Sequence, residues 1–210
     1  MSRLQRFIIR CIDLCASALM LYAAAPAMAV IALLIRRESP GPAIFKQERA
    51  GKDGRPFILY KFRTMRADVD PFGASPHSGD DPRLTRIGRL LRERSLDELP
   101  QLLNVLRGQM SLVGPRPLYV SQIAEWTDRQ RRRLEVKPGI TGLAQIAGRA
   151  ALTIEEKLEL DVQFVEQAGV GLYLGLLATT LARFGSSRDV YEVRYSRTHQ
   201  IRPSSPPTDR

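Results

Sequence analysis

Histidine and cysteine are scarce, with two of each in 210 residues. Cys11 and Cys15 lie four apart in an apolar segment, and His77 and His199 are remote from them. Two thiols cannot complete a zinc site, and their placement resembles no disulfide framework. The sequence therefore argues against a zinc centre and a histidine-based triad, and leaves acid–base work to carboxylates. Acidic residues are also in deficit: 22 Asp and Glu face 32 Lys and Arg, a net charge of +10. Such a balance points to a polyanionic partner, whether nucleic acid, an anionic membrane or a phosphorylated substrate. Only seven Phe and six Tyr are present and no RNA-stacking motif is visible, so nucleic acid is not expected. No internal repeat occurs. At 44% hydrophobic and 26% charged, the chain has the composition of one folded domain with a real core, or one domain plus an appendage.

What is present begins with "LCASALMLYAAAPAMAVIALLI", residues 14 to 35, without a charge. About 20 residues suffice to cross a bilayer. Small-residue patterns such as "APA" and "AMA" invite a signal-peptide reading. The segment is long for a signal core, however, and Asp13 precedes it closely. Arg3, Arg6 and Arg10 come before it, and Arg36, Arg37, Lys46 and Arg49 after it. Positive charge marks the cytoplasmic side of a membrane segment, and here both flanks carry the mark. Pro26 removes a hydrogen bond near the middle and can kink the helix. Two readings stay open: a bent, re-entrant helix that enters and leaves by one face, and a plain spanning helix that tolerates its proline.

Residues 39 to 65 read as a Pro/Gly entry followed by a β-hairpin, with an Asp-Gly turn in "KDGR". Alternation in the second strand puts Leu59, Lys61, Arg63 and Met65 on one face. Residues 68 to 82 read as a polar loop whose acidic residues imitate a metal cluster. Arg83 to Arg94 has arginines every third position, interleaved with Leu84, Ile87 and Leu91, as in a basic amphipathic helix. Helices are expected over residues 99 to 106, 120 to 134 and 153 to 167. "SLVGPRPL" and "VKPGITGLAQIAGR" read as rigid loops presenting Arg116 and Arg149. Residues 169 to 184 are apolar but short for a span, and suit a buried or interfacial helix.

Between these elements stands "RSLDELPQLLNVL", residues 94 to 106, with adjacent carboxylates Asp97 and Glu98. One reading is structural. Ser95 and Glu98 fit a capping box, and Asp97 as N-cap would set Pro100 in a tolerant first turn. The other is chemical: carboxylates among Arg92, Arg94, Arg116 and Arg149 suit phosphoryl transfer from a diphosphate. A carboxylate can attack phosphorus or hold Mg²⁺, and arginines stabilise the developing charge. The two readings are compatible.

Three runs in order, "FKQERAGKDGRPFILYKFRTM", "DDPRLTRIGRLLRERSLDELPQLLNVLRGQMSLVGPRPL" and "KPGITGLAQIAGR", closely resemble the bacterial sugar transferases. These are the monotopic phosphoglycosyl transferases, also called undecaprenyl-phosphate sugar-phosphate transferases. The similarity covers about residues 1 to 182 and corresponds to the short form with the catalytic module alone. It implies an α+β fold: a re-entrant membrane helix over 1–38, a catalytic domain over 39–185 with a β-hairpin and interfacial amphipathic helices, and a partly disordered tail over 186–210. It implies transfer of a sugar 1-phosphate from a UDP-sugar to a polyprenyl phosphate at the cytoplasmic face of the inner membrane, releasing UMP. In the family's ping-pong route the phosphorylated Asp corresponds to Asp97, with Mg²⁺ close by. Glu98 then accepts a proton or helps the metal, and Lys61, Arg63, Arg92, Arg116 and Arg149 bind phosphates. Many members carry Ser before the helix-breaking proline; here Ala25 precedes Pro26. A homodimer is compatible with exposed apolar membrane surface.

Two rivals make different demands. A basic membrane-anchored binding protein needs no Asp-Glu pair, and a glycosyltransferase moving only the sugar releases UDP. No residue reads out which sugar is carried or which glycan it enters.

Overall fold

The computed structural model describes residues 1–69, 76, 78–148 and 151–183. Arg149, His77, His199 and the expected disordered tail lie outside the described residues. Among the described residues the fold is mixed: helices dominate, with two small sheets and one long apolar helix at the N-terminus.

Helix α1 runs over Arg3–Glu38 with Pro26 inside it, and is long and apolar enough to cross a membrane. It starts on a capping box in which Ser2 and Gln5 satisfy each other's backbone N–H groups. One face packs on the rest of the protein throughout: Ile9, Ile12, Asp13, Ala16, Ser17 and Leu21 in the first half, Met28, Ile31, Ala32 and Ile35 in the second. The opposite face leaves Leu14, Leu19, Tyr22, Val30 and Leu33 exposed. A row of large apolar side chains on this scale is the mark of a surface meant for lipid or another partner.

Polar contacts fasten both ends of α1. Near its start, Arg10 donates to the Val105 and Leu106 carbonyls at 2.7 and 2.9 Å. Buried Asp13 accepts from the Ser111 hydroxyl, the Leu112 N–H and the Tyr173 hydroxyl at 3.1, 2.8 and 2.7 Å. At its far end, Glu38 accepts from the Arg86 and Ile87 N–H groups at 2.6 and 3.0 Å, capping the next helix.

The expected hairpin is present as β1 (Ile44–Ala50) and β2 (Pro56–Phe62), antiparallel, with Phe45 opposite Lys61 and Arg49 opposite Phe57. Asp53 and Gly54 both have positive φ, 58° and 74°, which is the geometry the Asp-Gly pair favours. Phe57 and Leu59 face the core while Ile58 is exposed, so the expected face of β2 is correct through Lys61.

Helix α2 (Arg86–Glu93) approaches the chain after β2 so closely that a Cβ on Gly88 would lie 1.9 Å from the Thr64 carbonyl oxygen. A 3₁₀ turn (Leu96–Gln101) and helix α3 (Leu102–Leu106) follow. Asn104, fully buried, accepts from the Tyr60 N–H and donates to the Ile58 carbonyl, covering the outer edge of β2 as a strand would.

Three expectations need correction. The two loops presenting Arg116 and Arg149 contain strands, β3 (Ser111–Val113) and β4 (Gly139–Thr141), paired in parallel. Three residues are too few to show a period, which hid them. The helix expected over 120–134 is broken into a 3₁₀ turn (Val120–Glu125), α4 (Asp128–Arg131) and a second 3₁₀ turn (Arg132–Glu135). Trp126 turns inward in extended conformation, and Thr127 restarts the helix with its own capping box. The arginine stripe also divides: Arg83 precedes α2 and pairs with Asp81, while Arg89 pairs with Asp80 and Glu93. Helix α5 (Leu143–Ala147), α6 (Ile154–Gln167) and α7 (Val170–Ala182) complete the fold. Of these, α6 and α7 match expectation.

The core has two parts. One gathers Phe57, Leu59, Val105, Met110, Phe164 and Tyr173, and the other Ile35, Ala43, Phe62 and Leu91. Leu99 packs against both, so the 3₁₀ turn is wedged between them.

Removing the Asp13 carboxylate strands the Leu112 and Tyr173 donors in the interior. Asp13→Ala is expected to cost about 3 kcal/mol, since each orphaned buried donor costs ~1–3 kcal/mol. Thermal unfolding in detergent measures it; an unchanged midpoint contradicts the anchoring role.

Candidate active site

The site is built around the 3₁₀ turn that carries Asp97. Neither capping arrangement expected from sequence occurs there. Ser95 sits in the left-handed region at φ 56° and makes no side-chain cap bond. It lies just past Arg94, the C-cap of α2, where its N–H donates to the Arg92 carbonyl and its carbonyl accepts from the Glu98 N–H, so its backbone joins α2 to the next turn. The sharp reversal turns Asp97 inward. What holds the pair is the wedge of Leu99 and buried Pro100 and Gln101.

Asp97 is 8% exposed, and among the described residues its carboxylate accepts no hydrogen bond. Burial pushes its pKa up to about 6, and the neighbouring Glu98 charge pushes the same way. Lys61, Arg92 and Arg116 pull in the opposite direction. A buried carboxylate with no hydrogen bond would ordinarily hold its proton, so these cations keep it available as an anion. Lys61 has the mirror problem. Desolvation lowers its pKa to about 8, Asp97 raises it, and Arg92, Arg116 and Arg49 lower it further.

Each cation arrives from a different element. Lys61 comes from β2 on the face that meets the 3₁₀ turn, with its ammonium 5.5 Å from the Phe45 ring centre. Arg92 comes from the last turn of α2, and its guanidinium makes no hydrogen bond or ion pair among the described residues. Arg116 follows β3 and pairs with Glu98 at 2.6 Å. The loop that carries it is fixed from behind. Arg133, 3% exposed, forms an ion pair with buried Asp161 at 2.7 Å, lies over the Trp126 ring and donates to the Arg116 carbonyl.

Of the residues named from sequence, Lys61, Arg92, Asp97, Glu98 and Arg116 are brought together. Arg63 stands apart: its guanidinium donates to the Ser39 and Pro40 carbonyls and the Ser39 hydroxyl, at 2.6 to 2.9 Å. It closes the end of α1 and borders an open groove of about 360 Å³ lined by Pro42, Ile44, Phe45 and Lys46. Sequence reasoning missed Arg49 and Arg133. Arg49 looked like a membrane-flanking charge, and Arg133 like part of a solvated run; only the tertiary packing separates them from their neighbours. Among the described residues no group of three or more His, Cys, Asp and Glu could hold a metal by itself. The acidic loop residues Asp68, Asp80 and Asp81 pair with arginines instead.

A buried carboxylate facing several cations, beside an apolar helix of membrane length, is an arrangement suited to phosphorylated substrates. The sequence pattern of the bacterial sugar transferases matches residues 4–186, and the chain belongs to that family. Its relatives include the uncharacterized sugar transferase EpsL of Bacillus subtilis (strain 168), 44% identical over 186 residues, or 89% of this chain and 91% of the relative. The UDP-glucose:undecaprenyl-phosphate glucose-1-phosphate transferase of Caulobacter vibrioides is 40% identical over 195 residues, covering 87% of this chain and 71% of that one. An Aeromonas hydrophila relative, a UDP-N-acetylgalactosamine-undecaprenyl-phosphate N-acetylgalactosaminephosphotransferase, is 37% identical over 195 residues. That match takes 88% of this chain and 46% of the relative, so the chain spans less than half of that protein.

The burial of Asp97 sets a stability prediction with a definite sign. Its folded pKa of about 6 exceeds the ordinary 3.8, so the folded state holds a proton the unfolded state has lost between those values. Wild-type stability therefore falls as pH rises through that window. Asp97→Asn is expected to raise stability at pH 7.5 in chelator by roughly 2 kcal/mol, with the gain fading towards pH 4. Thermal melts across pH measure it; a destabilised variant at pH 7.5 would contradict the burial argument.

Proposed function

We propose that this chain moves a sugar 1-phosphate from a UDP-sugar to undecaprenyl phosphate and releases UMP, at the cytoplasmic face of the inner membrane. The observation that carries this reading is the Asp97 carboxylate, buried, without hydrogen bonds among the described residues, and flanked by Lys61, Arg92 and Arg116. It has the features of a nucleophile. Among the described residues no hydrogen bond engages its oxygens, and nearby cations would bind the diphosphate and hold the carboxylate ionised.

In the first half-reaction a carboxylate oxygen of Asp97 attacks the sugar-bearing phosphorus. The bond from that phosphorus to the bridging oxygen breaks, and its electron pair leaves with UMP. The intermediate is an Asp97 acyl phosphate carrying the sugar. In the second, an oxygen of the lipid phosphate attacks the same phosphorus and the Asp97 carboxylate is regenerated. Glu98 accepts a proton where the lipid phosphate arrives protonated. In the free enzyme Glu98 holds Arg116, so it also sets the position of that cation. Mg²⁺ suits the donor set, since it takes one or two carboxylates together with substrate phosphates and needs no cage of protein ligands. Asp97 would hold it with help from Glu98, and the ion would supply further neutralisation of the diphosphate.

The packing of α1 supports the re-entrant reading. A straight spanning helix would separate Asp13 and Ile35 by about 33 Å, at 1.5 Å per residue. That is roughly the ~30 Å of bilayer hydrocarbon, which would put the two on opposite sides. Both are nonetheless buried against the same body. In this reading the packed face stays with the catalytic domain and the exposed apolar face enters lipid. Arg10, Asp13 and Glu38 hold both ends of α1 on that domain. The open groove lined by Pro42, Ile44 and Phe45, beside the end of α1, suits an isoprenoid chain.

With a UDP-sugar, undecaprenyl phosphate and Mg²⁺, the nucleotide product is expected to be UMP; UDP would mean transfer of the sugar alone. Asp97→Asn should lower UMP formation by at least 10³-fold, and Glu98→Gln by ~10–10²-fold, in line with loss of a nucleophile and of an acid–base group. Cysteines introduced at positions 2 and 40 should both react with an impermeant reagent from the cytoplasmic side only. Labelling of position 2 from the periplasm would establish a spanning helix.

A further inference from the structure

Arg49 is a half-buried cation that nothing assigned so far explains. It projects from β1 on the same sheet face as Lys61, because Phe45 stands opposite Lys61 and Arg49 opposite Phe57. Its guanidinium lies 3.7 Å from the centre of the Tyr119 ring and donates to the Gln47 side chain, while Gln47 donates to the Tyr119 hydroxyl at 3.2 Å. The backbone closes the same junction, with the Ala50 N–H donating to the Leu118 carbonyl at 2.9 Å. The strand and the loop bearing Arg116 are thereby locked together, and the flat face of Arg49 is held in one orientation.

That orientation is costly in the free protein. Arg49 is desolvated, the like charge of Arg116 lowers its pKa further, and no carboxylate pairs with it among the described residues. Its Nε is buried with no hydrogen-bond partner. A cation desolvated beside another cation, with no anion of its own, is arranged for an anion that arrives from outside.

The order of the cations indicates which anion. On the sheet face they share, Arg49 stands opposite Phe57, four residues along β2 from Lys61, and Lys61, Arg92 and Arg116 act on Asp97 where Arg49 does not. Arg49 is therefore one place further from the nucleophile. In an in-line displacement the leaving oxygen departs on the side of phosphorus opposite the attacking oxygen. A cation that stabilises the leaving group must stand beyond the transferred phosphorus as seen from Asp97. We propose that Arg49, stacked on Tyr119, binds the phosphate of the departing nucleoside monophosphate, and that the lipid phosphate does not use it.

This rests on the transfer reaction proposed above, and two measurements separate the two claims. The first is binding of UMP alone, by calorimetry, to the detergent-solubilised full chain. Arg49→Ala and Tyr119→Ala are expected to weaken it at least 10-fold, and Arg49→Lys to recover part of the loss. Unchanged UMP affinity in Arg49→Ala, with an unchanged melting midpoint, overturns the assignment whatever the reaction proves to be. The second is initial-rate kinetics with both substrates varied. In a ping-pong scheme each kcat/KM reports its own half-reaction. Arg49→Ala should therefore lower kcat/KM for the UDP-sugar at least 10-fold and leave that for undecaprenyl phosphate within 2-fold. Equal losses for both substrates would make Arg49 a general structural residue, and a loss confined to the lipid would place it on the other phosphate. Release of UDP by the wild type would remove the transfer reading, and UMP binding would still decide the site.

Discussion

Asp97 is buried and accepts no hydrogen bond among the described residues, so its charge depends on cations brought from elsewhere. This single demand organises the middle of the chain. The β-hairpin supplies Lys61, α2 supplies Arg92, and the turn after β3 supplies Arg116. None of these is near Asp97 by virtue of one regular element. The left-handed Ser95 turns the chain from α2 into the 3₁₀ segment, and Leu99 pins that segment between two apolar clusters. Gly88 lets α2 lie against the chain beyond β2, at a distance no side chain would allow. The fold works as a frame that assembles like charges around one carboxylate, an arrangement that favours an incoming polyanion over the empty state.

The same frame is tied to the apolar helix. Asp13 connects α1 to β3 and α7, Arg10 connects it to the end of α3, and Glu38 connects it to the start of α2. Arg63, on the extension of β2, returns to the Ser39 and Pro40 carbonyls. Segments that carry or lead to site residues, α2 with Arg92, β2 with Lys61 and β3 before Arg116, are therefore among those that grip the long apolar helix. Such coupling fits a reaction whose acceptor is a lipid, because the position of the bilayer and the position of the nucleophile are set together.

Legibility in the sequence followed the range of the interactions. The hairpin turn was readable because Asp53-Gly54 satisfies a local backbone requirement, and α6 because Thr153 and Glu156 form a capping box within one turn. The Asp-Glu pair was readable from composition and from the resemblance of its surroundings. The capping box proposed for that pair failed because Ser95 is taken up by the end of the preceding helix, which depends on where α2 packs. Arg63 carried the right charge for phosphate but faces carbonyls of its own chain, a pairing 23 to 24 residues distant in sequence. Arg49 and Arg133 were hidden in basic surroundings, and the three-residue strands β3 and β4 were too short for any periodic signal.

Covalent attachment of the sugar phosphate to Asp97 is the step on which the proposed reaction turns. Its most direct test is intact-mass spectrometry of the full chain mixed with UDP-sugar and Mg²⁺ in the absence of any lipid phosphate, followed by mapping of the modified peptide. A mass increase equal to one sugar phosphate, located on Asp97, is expected, with about one equivalent of UMP released per chain. An unmodified chain, with UMP appearing only after lipid phosphate is added, would contradict it.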